Sequence, residues 1–286
     1  MELRVLRYFL AVAEEGNITW AAQLLRISQP TLSRQLKQLE EELGVTLFER
    51  GAHAIALTDE GRLLYERANT IVALADKTRA DLTASAGDLT GDIAVGCGEV
   101  RAMSFLTERM AAFRAIHPRV RFAVSSTTTD VIEERLDQGL LDFGLLTEPV
   151  DVSAYEFLHT GVTERWCALV PDGHALVGRD ALSPTDLTDC ELLLPSRESV
   201  RRVVTNWFGR SEDELDVAGW CNLPANGANM AAHGLGVYLC LDLGIEYPGV
   251  RHVPLAPALE SGSAVVWKRH GAVSPAAAEF ARFLRG

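Results

Sequence analysis

Five cysteines (Cys97, Cys167, Cys190, Cys221 and Cys240) are scattered through 286 residues, with no C-x-x-C pair. An odd, dispersed set excludes a disulfide framework and a zinc ribbon. The seven histidines show no H-x-x-x-H or H-x-H spacing, so no metal site is expected. No apolar run approaches the roughly 18–20 residues that span a membrane, so no membrane partner is expected. The opening stripe MELRVLRYFLAVAEEG is interrupted by Arg4 and Arg7, ends in Glu14 and Glu15, and has no small-residue cleavage site after it. A secretory signal is therefore not expected, and cytoplasmic residence is. Positive charge is also scarce: 27 Lys and Arg stand against 39 Asp and Glu, a net charge of −12. That balance excludes a protein that coats nucleic acid without regard to sequence. Catalytic fingerprints are missing too. There is no G-x-S-x-G elbow and no phosphate-binding loop, and Gly96-Cys97-Gly98 lacks a third glycine for a dinucleotide turn. Neither an enzyme nor a resident cofactor is expected.

What is present is a well-cored chain, 48% apolar, long enough for a small domain and a larger one. Leu3, Leu6, Phe9, Leu10 and Ala13 recur at helical steps, and Gly16 ends that helix. Asn17 can cap a second helix over ITWAAQLLRI, with Ala21, Ala22, Leu24 and Leu25 on its buried side. Ser28 caps a third, with Pro30 tolerated in its first turn and Gly44 closing it. Leu32, Leu36, Leu39 and Leu43 share one arc of this helix; Pro30, Arg34, Lys37 and Glu41 occupy the opposite one. Three short helices with a tight second turn form a helix-turn-helix. The third reads as the recognition helix, with Arg34 suited to a guanine edge, Gln29, Thr31 and Ser33 to bases or phosphates, and Lys37 to a phosphate. Residues 1–58 carry six bases and seven acids, so a DNA reader here must concentrate its positive charge locally and gain affinity by oligomerising.

The block AAQLLRISQPTLSRQLKQLEEELGVTLFER, followed by ALTDEG, resembles the LysR-type transcriptional regulators. The resemblance implies a winged helix-turn-helix in which Gln29, Pro30, Thr31, Ser33 and Arg34 face the major groove, with a wing over 46–57. Relatives carry further bases after the position of Arg50, where this chain has Gly51, Ala52, His53 and Ala54. The wing contacts are then either weak or carried by Arg50 and His53 alone, and His53 stays open between a DNA contact and an exposed bystander.

Thr58 is a suitable N-cap for a long helix reaching about Ser85, with Asp59 and Glu60 in its first turn. Leu64, Ala68, Ile71, Ala75, Thr78 and Leu82 form a coiled-coil-like seam. It reads either as a helix lying on its own domain or as a homodimer interface that sets two recognition helices about 34 Å apart on a dyad-symmetric site. The resemblance implies the dimer, commonly doubled to a homotetramer. The expected organisation is a DNA-binding domain over 1–58, a linker helix and hinge over 59–89, and an effector-binding domain over 90–286.

Beyond a hinge-like break at 86–91 the pattern becomes short apolar strands alternating with helices, in DIAVGCG, VRFAVSS, DFGLL, WCALVP, DVAGW and GLGVYLCL. Such alternation argues for α/β sheets with parallel strands. The length suits two subdomains with a cleft between them. The resemblance implies the same arrangement, like a periplasmic solute-binding protein, with crossovers near 163 and 266. Ligands in such folds sit beyond strand carboxyl ends and at helix N-termini. Those positions are Cys97, Gly98 and Glu99; Thr127, Thr128 and Thr129; Thr147 and Glu148; Ser196, Arg197 and Ser199; and Asn226. They would hold a small-molecule co-inducer, unless the threonines only cap a turn and the acids are solvated. If Glu99 and Glu148 both face the cleft, the pair favours a ligand carrying an amine or cation. Cys97 reads as a small buried or cleft-lining residue in preference to a redox-active thiol. The expected partners are double-stranded DNA, the effector, further copies of the chain and RNA polymerase.

Overall fold

The structure, a computed structural model, describes residues 1–50, 55–82, 89–270 and 273–286. Internal contacts divide the chain into two units, residues 1–83 and 84–286. In the first, α1 (Leu3–Glu15) ends where Gly16 takes φ 60° and donates its N–H to Val12. Asn17 Oδ1 accepts from the N–H groups of Thr19 and Trp20 and starts α2 (Ile18–Leu24). That helix is shorter than the sequence suggests. Arg26 takes a positive φ of 54°, and the chain turns there instead of continuing to Ile27. Leu24 is consequently 64% exposed, not part of the buried side, whereas Ala21 and Ala22 are buried as expected. α3 (Gln29–Leu43) is capped by Ser28 Oγ and ended by Gly44 at φ 71°. Leu32, Leu36 and Leu39 enter the core with Phe9 and Val12; Leu43, one turn further on, lies outside it and is exposed.

Strands β1 (Phe48–Arg50) and β2 (Ile55–Leu57) pair antiparallel, Phe48 opposite Leu57, within the span expected for the wing. Glu40 Oε1 accepts from Leu47 N at 2.7 Å and ties the end of α3 to β1. Thr58 Oγ1 accepts from Gly61 N and donates to Thr46 O, capping α4 (Asp59–Leu82) and anchoring it to the wing. Gly61 is required by this approach, because a Cβ there would lie 2.1 Å from Leu47 O. α4 divides the expected seam. Leu64 and Ala68, with Val72, pack into the unit's own core, while Ile71, Leu74 and Leu63 stay exposed.

The second unit runs β3 (Gly91–Cys97), α5 (Met103–Ile116), β4 (Val120–Ser126), α6 (Thr129–Asp137), β5 (Phe143–Thr147), β6 (Tyr155–His159), β7 (Glu164–Pro171), β8 (Leu192–Pro195), α7 (Glu198–Phe208), β9 (Val217–Cys221), α8 (Pro224–Ala232), β10 (Val237–Leu241), β11 (Val250–Pro254), β12 (Glu260–Ser261), β13 (Ser263–Lys268) and α9 (Pro275–Arg285). Two sheets result, in the orders β4-β3-β5-β13-β6 and β11-β7-β10-β8-β9, with β12 paired to β7. Both are mixed, not purely parallel. β3 runs parallel to β4 and β5, but β13 is antiparallel to both its neighbours. β10 is parallel to β8 and antiparallel to β7. Each sheet has its own core, one around Phe113, Phe143 and Phe280, the other around Trp166, Leu192 and Leu239.

The chain crosses between the subdomains twice, over 160–163 and at Gly262. The first crossing falls where it was expected. The second comes before 266, because Val266 already lies in β13, paired with Gly144 and Phe157. Polar side chains pin both crossings. Thr160 Oγ1 bonds Ser263 Oγ at 2.6 Å, Trp166 Nε1 donates to Ser261 Oγ, and Glu164, with no exposed surface, accepts from the N–H groups of Arg101 and Ala102 at 3.0 and 2.7 Å.

Candidate functional site

Two sites follow from this frame, one in each unit. On α3 the residues opposite the buried leucines face outward: Gln29, Pro30, Arg34 and Lys37 are exposed, and Thr31 and Ser33 are half-buried. Local hydrogen bonds order the amino-terminal turn. Ser28 Oγ meets Thr31 Oγ1 at 2.8 Å, and Gln29 Nε2 donates to Ser33 Oγ at 3.0 Å. Lys37 pairs loosely with Glu41 at 3.4 Å, one turn on. Arg34 has no hydrogen bond or ion pair among the described residues, so its guanidinium keeps its full set of donors for an external acceptor. His53 and the side chain of Arg50 lie outside the described residues, as do residues 83–88 of the expected helix end and hinge.

In the second unit a cleft of about 130 Å³ opens between the subdomains. That is on the order of the ~150 Å³ cavity that admits one benzene-sized molecule. The first subdomain contributes Gly98, Glu99 and Val100 beyond β3, and Thr127, Thr128 and Thr129 beyond β4. The second contributes Ser196 and Arg197 beyond β8, Asn222 beyond β9, and the Trp166, Tyr238 and Cys240 side chains from β7 and β10. Thr128, Arg197 and Leu223 are the N-cap residues of α6, α7 and α8, and none of their side chains caps its own helix. Three helix N-termini therefore converge on the cleft, where unpaired N–H groups and helix dipoles favour negative charge. Arg197 adds a cation and also ties the subdomains together. Its Nε donates to Asp130 Oδ1 at 3.0 Å and its Nη1 to Pro149 O at 3.3 Å. Arg101 and Asp242 make a second tie at 3.7 Å. A larger depression of about 660 Å³ lies on the second subdomain alone, around Asp242, Glu246 and His252, and receives no helix N-terminus.

Of the residues expected to hold an effector, Gly98, Glu99, Thr127, Thr128, Thr129, Ser196 and Arg197 line the cleft, and five do not. Cys97 is buried in the first core, and burial pushes its thiol pKa up, which leaves it a packing residue. Thr147 pairs with Ser263, so the end of β5 is covered by the crossover strand. Glu148 packs beside Gly262, its Oε1 4.0 Å from His159 Nδ1. The expectation of two facing carboxylates fails on this point: Glu99 lines the cleft with Arg197 and without Glu148, and the case for a cationic ligand loses its premise. Ser199 Oγ is buried within α7 with no hydrogen-bond partner among the described residues. Asn226 is on the exposed side of α8, and Asn222 lines the cleft in its stead. The strand-end rule that located Ser196 would also have found Asn222, which directly follows β9. Trp166, Tyr238 and Cys240 had no such signal, since their inward direction depends on which strands lie side by side.

Comparison with known proteins agrees in both units. Residues 3–62 match the family described as bacterial regulatory helix-turn-helix protein, lysR family, and residues 86–286 match the LysR substrate binding domain. Among curated relatives, the regulator GbpR of Azospirillum brasilense is 33% identical over 74% of this chain and 63% of its own length. The regulator TfdT of Cupriavidus pinatubonensis is 32% identical over 69% of this chain and 86% of its own. Among solved structures, full-length CbnR complexed with its target DNA superposes with a TM-score of 0.77 at 26% identity, covering 100% of this chain and 99% of that one. Family matches that span both units, on a fold that pairs a helix-turn-helix with a two-subdomain cleft, place this chain in the LysR family of transcriptional regulators.

Proposed function

We propose that the chain binds a dyad-symmetric promoter site through the amino-terminal half of α3, and that a small effector in the cleft controls this binding. The observation that carries the reading is the division of α3, with Leu32, Leu36 and Leu39 buried while Arg34, with no hydrogen bond or ion pair among the described residues, stands exposed beside Gln29 and Pro30. Gln29, Thr31, Ser33 and Arg34 read base edges, Lys37 and Arg50 bind phosphates, and His53 adds a further DNA contact. The apolar face of α4 left open by Leu63, Ile71 and Leu74 forms the homodimer, and pairs of dimers form a homotetramer. A net charge of −12 makes such multivalency necessary, because one head has few cations to release counterions from DNA. The regulator acts in the cytoplasm and contacts RNA polymerase from its promoter site.

The effector is a compact molecule with an anionic or acceptor-rich end at the three helix N-termini and Arg197, and an apolar body against Trp166 and Tyr238. Footprinting on the DNA upstream of its own gene, at fixed salt, tests the first half. Wild type should protect a dyad-symmetric site, and Arg34→Ala should lose about 1–3 kcal/mol of discrimination. Equal binding to specific and random DNA after a wide operator selection would overturn it. Thermal-shift screening with compact carboxylates and amines tests the second half, and stabilisation by amines alone would reverse the assigned polarity.

A further inference from the structure

Cys167 and Cys240 are distant in sequence but directly opposite each other on the antiparallel strands β7 and β10. Asp242 N donates to Arg165 O two positions along, which makes the cysteines a hydrogen-bonded cross-strand pair. Their Cα atoms are then about 5.5 Å apart, inside the range a disulfide spans, about 4.4–6.8 Å. Both side chains fall on the same face of the sheet, in one buried cluster. Only 3% and 4% of the two residues is exposed, and Cys240 borders the cleft. His252 Nδ1 lies 3.8 Å from Cys167 Sγ and 3.6 Å from Asp242 Oδ1, and its ring stacks on Tyr247. This surrounding makes the two sulfurs unlike. The neighbouring Cys240 and His252 pull the Cys167 thiol below its ordinary value, while Cys240 itself is pushed well up. Cys97 and Cys190 are raised by burial, and Cys221 donates to Leu223 O.

We propose that Cys167 and Cys240 are a two-electron redox pair, oxidised by a hydroperoxide small enough to enter the cleft to a disulfide joining β7 and β10. The Cys167 thiolate attacks one peroxide oxygen; an S–O bond forms, the O–O bond breaks, and the leaving oxygen takes a proton from His252. Cys240 then attacks the sulfenic sulfur of Cys167. The S–S bond forms, the S–O bond breaks, and the Cys240 proton departs with the hydroxyl as water. With hydrogen peroxide the balance is two thiols plus peroxide giving one disulfide and two waters. The disulfide takes from His252 the sulfur it leans on and draws in a side chain at the cleft floor, so the oxidation state of the pair alters the effector site itself.

Full-length wild-type protein, reduced and then exposed to hydrogen peroxide, decides the matter. Denaturing it in N-ethylmaleimide and mapping the peptides should show three of the five cysteines alkylated and Cys167 linked to Cys240, with the link reversed by dithiothreitol. Cleavage on both sides of Tyr238 separates Cys240 from Cys221, which otherwise share one tryptic peptide. Five alkylated cysteines after treatment would overturn the proposal, as would a link through Cys221, Cys97 or Cys190, or one between two chains. In Cys240→Ala the reaction should halt at a sulfenic acid on Cys167 that dimedone traps. Trapping at another cysteine would remove Cys167 as the nucleophile, and the wild-type map stands whether or not this variant folds.

Discussion

Glu164 is a carboxylate without exposed surface whose two oxygens each accept a peptide N–H, from Arg101 and Ala102, at the first turn leading into α5. Hydrogen bonds to a charged acceptor are stronger than neutral ones, and a buried group that loses its match carries the full desolvation cost. Glu164→Gln keeps the shape but turns an amide N–H₂ toward one of those donors. It should cost about 2 kcal/mol or more in urea denaturation, and an unchanged midpoint would show that the site relaxes around the amide. Sequence pattern alone gives no sign of this role. Glu164 begins a strand reading ERWCALVP, where an acid looks like an exposed strand end, and only the arrival of the β3–α5 loop 63 positions earlier in the chain buries it. The same physics separates the cleft residues that were legible from those that were not. Gly98, Glu99, Thr127 and Ser196 sit just past strands, a position set by local pattern. Trp166 and Tyr238 lie within strands, where pairing decides which face looks inward.

At the scale of elements, the helices of the first unit were legible because their ends are set by neighbours in sequence: Asn17 and Ser28 accept from their own first turns, and Gly16 and Gly44 adopt the left-handed conformation that ends a helix. The periodicity carries α2 three residues too far, since nothing in LRI marks Arg26 for a positive φ. α4 was legible as a helix but not in its partners. Its periodicity serves an internal and an external contact equally, and only packing shows that Leu64 and Ala68 turn inward. α4 is also joined to α1 by the Arg7–Asp76 ion pair, which holds the Asp76 carboxyl below its ordinary value of 3.8. A carboxyl with a lowered folded-state pKa stabilises above its unfolded value and loses that contribution as pH falls through the folded one. Melting of wild type and Arg7→Gln should therefore differ at pH 6 and converge on acidification below about pH 4. The gap will be small for an exposed pair, and a gap that widened in acid would contradict the assignment.

At the scale of the second unit, two ion pairs cross the cleft, Arg197 with Asp130 and Arg101 with Asp242. They hold together subdomains whose cores are otherwise separate. Replacing both arginines by alanine should speed hydrogen exchange in loops 98–102 and 127–131 while the amides of β3 and β10 keep their protection. Uniform acceleration would mean that the sheets depend on these pairs, and no acceleration that the crossings alone hold the cleft. The two-subdomain plan was legible from length and alternation, but the sheet order was not, because β13 and α9 return from the far end of the chain to complete the first subdomain.

That return bears on how the protein is made. β13 sits between β5 and β6, yet some hundred residues of the other subdomain are synthesised between β6 and β13. Until residue 268 has left the ribosome, β5 and β6 present unpaired edges, the kind of surface that recruits other strands. The nascent first sheet therefore waits for nearly the whole chain, and a polypeptide cut at Gly262 should fail by aggregation, not by losing a dispensable tail.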